Sequence, residues 1–513
     1  MTLRIALVRA TVLPGLLVEE ERLADSLACG YLHAWLERVG YRALLSVNPV
    51  LENLDADAAA DKVIAFAPAL VGVSVTFQWQ SSWLAHFASR VRVALPAVHI
   101  VGGGIFATSA WHRLLTDVTA IDSVCRHEGE VTLTALARCL TGGAAWDDLP
   151  GLACRGADGV PRANRRQPRL TDLTVLPFPA RFHLPAQLAR GGVIQMESGR
   201  GCNAHCTFCD MRRSGWIGRP VCHVVDELET LVTAWPGHPV WFVDSTFLGF
   251  GPRRFARGQA LAREILRRGL SVRFVIEDRA ENVDHETFAL LQQAGLVRVY
   301  LGIESFAAGP LERWQKHTTV ATNLQALAIL GALGLPTQIG LILFDDTTSL
   351  DEIGVCLAGM RQAIAVAPML HLYNLHQLIP YEGTYLARQY QHRYGYPPDV
   401  HDVNLWRFTD PRVGIFRDRA WAYLEQIWPV TAVVFDQLDS SGWQADLAAV
   451  LAVKNRLLLD FLEALLVALW RSEAATVEVL CQHHLGRTRT ALRTLADRTA
   501  PAVGKVLRAA LAG

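Results

Sequence analysis

The chain has 513 residues, 51% hydrophobic and 19% charged, with 49 basic and 49 acidic side chains in balance. That length suits roughly two to four domains with well-buried cores, and the composition excludes an intrinsically disordered chain. A formal net charge of zero carries no electrostatic footprint for nucleic acid or an anionic membrane.

The start, MTLRIALVRATVLPG, reads as a short apolar strand ending in a turn, without a signal-peptide cleavage site. Apolar strand-like runs then recur at RALLSV, LVGVSV, VHIVG and IDSVC, with helix-like stretches between them. Five strands alternating with helices over residues 1–145 predict an α/β fold, a doubly wound parallel sheet of flavodoxin or Rossmann type. A Pro- and Arg-rich stretch follows, and residues 146–190 are expected to be a linker wrapping between domains.

A second βα series starts at GVIQMES and continues through PVWFVD, SVRFVI, VRVYLGI, TQIGLIL and LHLYNL. Six such units over residues 191–385 predict a partial (β/α)6 barrel of TIM type, with chemistry at the C-terminal ends of its strands. Residues 386–513 read as a small, mainly helical region. Its most apolar run, LLLDFLEALLVALW, is interrupted by Asp460 and Glu463, so a buried helix is expected there and no membrane span. The ten cysteines are mostly scattered, which does not suit a secreted disulfide framework, and a cytoplasmic protein is expected.

The exception is GRGCNAHCTFCDM, where Cys202, Cys206 and Cys209 stand at C-x3-C-x2-C spacing directly after the first strand of the second series. Three chemistries compete for such a loop. Structural zinc wants four ligands, and Cys222 or His223 would have to supply the fourth. Redox or nucleophilic thiol chemistry needs only one or two cysteines. A [4Fe–4S] cluster on three thiolates leaves one iron free to bind a small molecule, so the absence of a fourth cysteine becomes the purpose of the site. Phe208, just before the last cysteine, would shield one face of the cluster. The position at a barrel mouth favours this third reading.

The stretch ESGRGCNAHCTFCDM resembles the cluster loop of the radical SAM superfamily, and the resemblance covers roughly residues 190–385. It implies that Cys202, Cys206 and Cys209 hold iron and that the open iron chelates S-adenosylmethionine (SAM). One electron would then cleave the sulfonium and release a 5′-deoxyadenosyl radical. Candidate SAM contacts by that resemblance are Phe208, then Asp244 and Ser245 in FVDSTF, Glu277 and Arg279 in IEDRAENV, and Glu304 and Ser305 in YLGIESF. Lys316 resembles a downstream family element.

Three loops of the first domain, SVTFQWQ, GGGIFAT and CRHEGEVTL, would cluster where a parallel sheet of this type binds ligands. Gly102, Gly104 and Ala107 match a loose G-x-G-x-x-A dinucleotide fingerprint, with Asp122 downstream. The match follows the fourth strand, whereas that fingerprint normally opens the first βα unit. The arrangement resembles instead the cobalamin-binding domain found N-terminal to many radical SAM enzymes. By resemblance, Ser74, Thr76, Phe77, Gln78, Gly102, Gly103, Gly104, Glu128, Gly129 and Glu130 are candidate cobalamin contacts, with Trp79 near the lower corrin face. The first domain has no D-x-H-x-x-G. His33, His86 and His99 are expected in core or surface roles, and cobalamin is expected without a histidine lower ligand.

Together these resemblances imply a cobalamin-dependent radical SAM C-methyltransferase, of the class B type. It would act on an unactivated carbon of a natural-product or peptide substrate through methylcobalamin and a 5′-deoxyadenosyl radical. Its electrons would come from a donor of flavodoxin or ferredoxin type. The same motifs admit a non-methylating rearrangement, cyclisation or oxidation. A non-enzymatic zinc-binding protein is the alternative from a different class. Tyr373, His376, Tyr381 and Trp406 are plausible substrate-lining residues.

Overall fold

The computed structural model describes residues 3–12, 24–211, 214–395, 407–438, 444–471 and 474–511. Trp406 lies outside them.

The first sheet contains β1 (Ile5–Arg9), β2 (Leu44–Val47), β3 (Leu70–Ser74), β4 (His99–Gly103) and β5 (Ser123–Cys125), in the parallel order β2-β1-β3-β4-β5. Two-residue periodicity divides each strand between two cores. Ala6 and Val8 of β1 pack with Val63, Trp83 and Phe87, from helices Ala56–Phe66 and Ser81–Ala94, on one face. Ile5 and Leu7 pack with Leu36 and Leu136, from helices Leu27–Arg38 and Gly129–Gly142, on the other. This is the doubly wound arrangement read from the sequence.

The stretch expected to be a linker is partly sheet. β6 (Leu152–Arg155) and β7 (Pro161–Ala163) form an antiparallel hairpin that continues the sheet beyond β5, with Ser123 opposite Cys154. Gly159, at φ +78°, makes the turn that lets the Gly156 N–H donate to the Val160 carbonyl at 2.9 Å. Pro161 opens the outermost strand, where a missing N–H is tolerated. Only four apolar-leaning residues precede this turn, too few for periodicity to register.

The second sheet comprises β8 (Ile194–Met196), β11 (Val240–Phe242), β12 (Phe274–Arg279), β13 (Leu296–Glu304), β14 (Thr337–Phe344) and β15 (Leu370–His371). They pair in parallel, in chain order, as a curled half barrel, and β16 (His376–Gln377) adds to β14. A two-residue antiparallel ladder, β9 (Gly199–Arg200) with β10 (Ile217–Gly218), closes the base of the three-cysteine loop. Met196, Phe242, Ile276, Leu301 and Leu341 face the helices in one large core. On β13 the alternate positions Arg298, Tyr300, Gly302 and Glu304 share the concave face.

The C-terminal helices include Pro411–Leu438, Gln444–Trp470, Ala474–Ala496 and Pro501–Ala510. Helix Gln444–Trp470 covers the exposed edge of β15. The Asn455 amide donates to the Leu370 carbonyl at 2.6 Å, and Lys454 Nζ donates to the Leu372 carbonyl. An open parallel edge would otherwise be a template for wrong pairing. Among the described residues no helix is long and apolar enough to cross a membrane.

Candidate active site at the facing ends of the two sheets

The three-cysteine loop begins at Gly201, whose φ of +86° is open only to glycine. A Cβ there would sit 1.8 Å from the Gly215 carbonyl oxygen. The loop is tied at several points. Ser214 Oγ accepts from the Cys202 N–H at 2.8 Å, the Trp314 carbonyl accepts from Thr207 N–H at 2.9 Å, and Leu386 N–H donates to the Thr207 carbonyl at 3.1 Å. All ten cysteines are free, with Cys202 and Cys206 buried and Cys209 half-buried. Burial pushes the Cys209 thiol up to about 12. Phe208 packs edge-on to Trp314 at 6.2 Å in a small cluster with Ile342 and Leu378.

Arg279, at the end of β12, holds its guanidinium 3.7 Å from Cys206 Sγ and donates to the Lys316 carbonyl at 2.6 Å. Three thiols with a guanidinium beside them are a donor set suited to an iron–sulfur cluster. Neither residue that the sequence offered as a fourth zinc ligand is set aside for one. Cys222 is exposed on helix Val221–Ala234, and His223 Nδ1 accepts from Arg219 at 3.2 Å. Among the described residues no group of three or more His, Cys, Asp or Glu side chains is arranged to hold a single metal ion.

The other expected SAM contacts separate into two groups. Ser245 is exposed at the strand mouth, and Glu277 lies on the concave side of β12, in register with Tyr300. Glu304 adopts φ +63°, a strained conformation for a residue with a side chain, and its carboxylate accepts from Lys316 Nζ at 2.8 Å. Arg279 touches the cysteine loop directly, and Glu304 is linked to Arg279 through Lys316. Asp244 and Ser305 are already engaged. Asp244 is buried and accepts from Ser198 N–H at 2.9 Å and from Ser198 Oγ at 2.9 Å. Burial raises it to about 7 against those hydrogen bonds and the nearby Arg257 charge. It therefore fixes the segment leading into the loop. Ser305 is buried on the helix side and accepts from Ala307 N–H at 3.1 Å, so its hydroxyl serves the chain and does not face the concave side. Strand alternation carries the consecutive side chains of Glu304 and Ser305 to opposite sides.

In the first domain, Ser74, Gly103 and Gly104 stand at the C-terminal ends of β3 and β4. Gly104, at φ +101°, is pressed against the chain, since a Cβ there would lie 2.6 Å from the Val75 carbonyl. Gly102 is buried within β4. The loop after β3 is shaped by Gln80, whose side-chain oxygen accepts from the N–H groups of Thr76 and Phe77 at 2.7 and 3.2 Å. Gln78 is buried beneath it. Phe77 and Trp79 stack in parallel at 4.8 Å, and Tyr381 from the second domain tilts against Trp79 at 6.2 Å. The three rings form an aromatic cluster between the loop after β3 and the second domain. The three histidines set aside earlier are engaged elsewhere: His33 with Ser46, His99 with Ser123 and His86 with Asp57.

The Glu128–Gly129–Glu130 loop departs from expectation. Arg169 donates to Glu128 at 3.0 Å and also to the Ser214 and Gly215 carbonyls at 2.5 and 2.6 Å. Arg200 donates to Glu130 and to Glu197, both at 2.7 Å, with Tyr31 under its guanidinium at 4.8 Å. Both carboxylates thus brace the first domain against the cysteine loop, while Gly129 opens the helix behind them. Arg169 and Arg200 were missed as site residues. Arg200 lies inside the cluster-loop stretch itself, but an arginine one residue from a glycine turn carries no pairing signal. Tyr373 is buried with its ring 5.5 Å from that of His371, and His376 is half-buried, with desolvation lowering its pKa against the nearby Glu304 charge.

A family profile described as the radical SAM superfamily matches residues 196–352, and one described as a B12 binding domain matches residues 24–137. The anaerobic magnesium-protoporphyrin IX monomethyl ester cyclase of Rubrivivax gelatinosus is 26% identical over 326 residues, 60% of this chain and 57% of that protein. An uncharacterized methyltransferase of Pyrococcus horikoshii is 25% identical over 299 residues, 56% of this chain and 63% of that protein. The chain thus spans about three fifths of the length of these curated relatives. Among solved structures, the cobalamin-dependent S-adenosylmethionine radical enzyme OxsB, with aqua-cobalamin and S-adenosylmethionine bound, superposes with a TM-score of 0.76 at 18% identity. The match covers 99% of this chain and 80% of that one, and is a likeness of fold.

Proposed function

The chain belongs to the cobalamin-dependent radical SAM enzymes, and from that premise we propose that it is a C-methyltransferase acting on an unactivated carbon of a small-molecule or peptide substrate. The observation that supports this reading is that the Glu130–Arg200 and Glu128–Arg169 pairs tie the C-terminal end of the first sheet to the base of the cysteine loop. A methyl carrier and a radical source must both reach one substrate carbon, and two sites braced face to face meet that need.

When bound, the cluster supplies the electron that cleaves SAM, and cobalamin supplies the methyl group. Cys202, Cys206 and Cys209 would hold the cluster, with Arg279 stabilising thiolate charge and Phe208 excluding water beside it. Ser245, Glu277 and Glu304 would orient SAM, with Lys316 holding the Glu304 carboxylate in place. Asp244 positions the loop through Ser198. Phe77, Trp79 and the backbone of Gly103–Gly104 would support the corrin. Reducing equivalents would come from a flavodoxin- or ferredoxin-type donor.

The relation to the Rubrivivax cyclase favours a second reading, in which the same cofactors drive a non-methylating reaction. Product accounting separates the two. Methyl transfer yields S-adenosylhomocysteine and 5′-deoxyadenosine in equal amounts over complete turnovers. The non-methylating reaction yields deoxyadenosine alone.

A further inference from the structure

The short helix Ala308–Arg313 ends in a turn that carries backbone strain. Gln315 N–H donates to the Glu312 carbonyl and Lys316 N–H to the Leu311 carbonyl, both at 3.0 Å, which is the Schellman form of helix end. Its left-handed position commonly falls to glycine, yet Gln315 holds it at φ +51°, and His317 repeats that conformation at +53°. Two residues with side chains held so close together in that region persist only where the surroundings fix them, and such places are candidates for function.

The turn meets the cysteine loop along its length. The Trp314 carbonyl accepts from the Thr207 N–H, and the Trp314 ring packs edge-on to Phe208. The Lys316 carbonyl accepts from Arg279, whose guanidinium also lies 3.7 Å from Cys206 Sγ. The His317 ring stands edge-on to His205 at 5.6 Å. Behind the turn sits Asp345, directly after β14 and 3% exposed. One of its carboxylate oxygens accepts from the Thr347 N–H and Oγ1, both at 2.9 Å, and from Thr348 Oγ1 at 3.1 Å. The other accepts from Trp314 Nε1 and from Arg313 Nη2, both at 3.0 Å. Arg313 also donates to Glu352 at 2.7 Å, and Glu352 closes the capping box of helix Leu350–Val366.

We propose that Asp345 is a positioning residue for the cysteine loop, acting through Trp314. The end of β14 fixes the carboxylate, the carboxylate fixes the indole and the strained turn, and the turn fixes the half of the loop that carries Cys206 and Cys209. The proposal rests on the reading of those cysteines as cluster ligands. A hydrogen bond to an ionised acceptor is stronger than a neutral one, so a carboxylate holds the indole more firmly than an amide would. Lys316, on the same turn, holds Glu304 at 2.8 Å, so one anchor sets both the thiols and a carboxylate assigned to SAM.

The test is hydrogen exchange read by mass spectrometry on the full chain without iron, comparing a peptide that spans Thr207 with one that spans β1. Asp345→Ala should speed exchange at the loop about tenfold, the worth of one hydrogen bond to a charged group, and leave β1 at the parent rate. Asp345→Asn keeps an acceptor oxygen and should restore part of the protection. Trp314→Phe keeps a ring against Phe208 but loses the donor, and should speed exchange at the loop as well. After reconstitution with iron and sulfide, the electron paramagnetic resonance spectrum of the reduced cluster, with and without SAM, should differ from the parent in Asp345→Ala, which a role in stability alone would not produce. Parent-rate exchange at the loop in both Asp345→Ala and Trp314→Phe overturns the proposal. Equal acceleration in β1 also overturns it, since Asp345 would then serve general stability, and an unchanged spectrum overturns the link to the thiols. Iron and sulfide analysis of the unaltered protein tests the ligand reading separately: a chain that loads no cluster yet shows the expected exchange refutes the ligands and not the anchor.

Discussion

Glu130 and Arg200 meet at 2.7 Å across the two domains, a buried carboxylate on a half-buried guanidinium that Glu197 shares. Removing one member of such a pair leaves uncompensated buried charge and costs about 3–5 kcal/mol. Arg200→Met should lower unfolding stability by an amount of that order in denaturant titration. It should also loosen the stretch around Arg169, read out as faster proteolysis between the domains. Stability within about 0.5 kcal/mol of the parent would show that the pair is only a surface-like contact.

Cys202→Ala, Cys206→Ala and Cys209→Ala should each abolish iron loading and all deoxyadenosine formation. Cobalamin binding should survive, because it belongs to the other sheet. Iron and sulfide analysis beside cobalamin absorbance checks both halves, and full SAM cleavage by any of the three variants would contradict the ligand assignment.

Gly201→Ala forces a Cβ against the Gly215 carbonyl in a backbone region that costs of order 1–3 kcal/mol for other residues. The loop must shift, so cluster loading should fall steeply while the circular dichroism spectrum stays at the parent level. A variant that loads iron normally would mean the turn is not needed to position the thiols.

His183 sits between Asp25 at 3.3 Å and Glu52 at 3.0 Å. Burial alone would lower its pKa, but the hydrogen bond to Asp25 and the charges of Asp25 and Glu52 outweigh it and raise it. A raised folded-state value means the imidazolium contributes stability fully below the unfolded value of about 6.5, and that contribution is lost as pH rises through the folded value. The melting-temperature gap between the protein and His183→Asn should therefore be widest at about pH 5.5 and narrow towards about pH 8.5. A gap independent of pH would show that the pair is not charged.

Much of this was legible in the sequence because it rests on periodicity and spacing. The apolar runs from RIALVR to IDSVC lie on the strands of the first sheet, and the cysteine loop follows β8 as read. What stayed hidden depends on long-range pairing. Glu128 and Glu130 read as ligand contacts, yet their partners Arg169 and Arg200 lie 41 and 70 residues away. Ser305 read as a SAM contact beside Glu304, yet strand alternation sends these two neighbours to opposite faces. Lys454, on a mainly apolar helix, gains meaning only where that helix covers the edge of β15.

The measurement that bears most directly on the central claim needs no acceptor substrate. Protein purified without oxygen and reconstituted with iron, sulfide and hydroxocobalamin is given a low-potential reductant and SAM bearing a trideuterated methyl group. Mass spectrometry should find the trideuterated methyl on cobalamin together with S-adenosylhomocysteine. Bound cobalamin and deoxyadenosine without any labelled methyl on cobalt would contradict the methyltransferase account and favour the non-methylating chemistry.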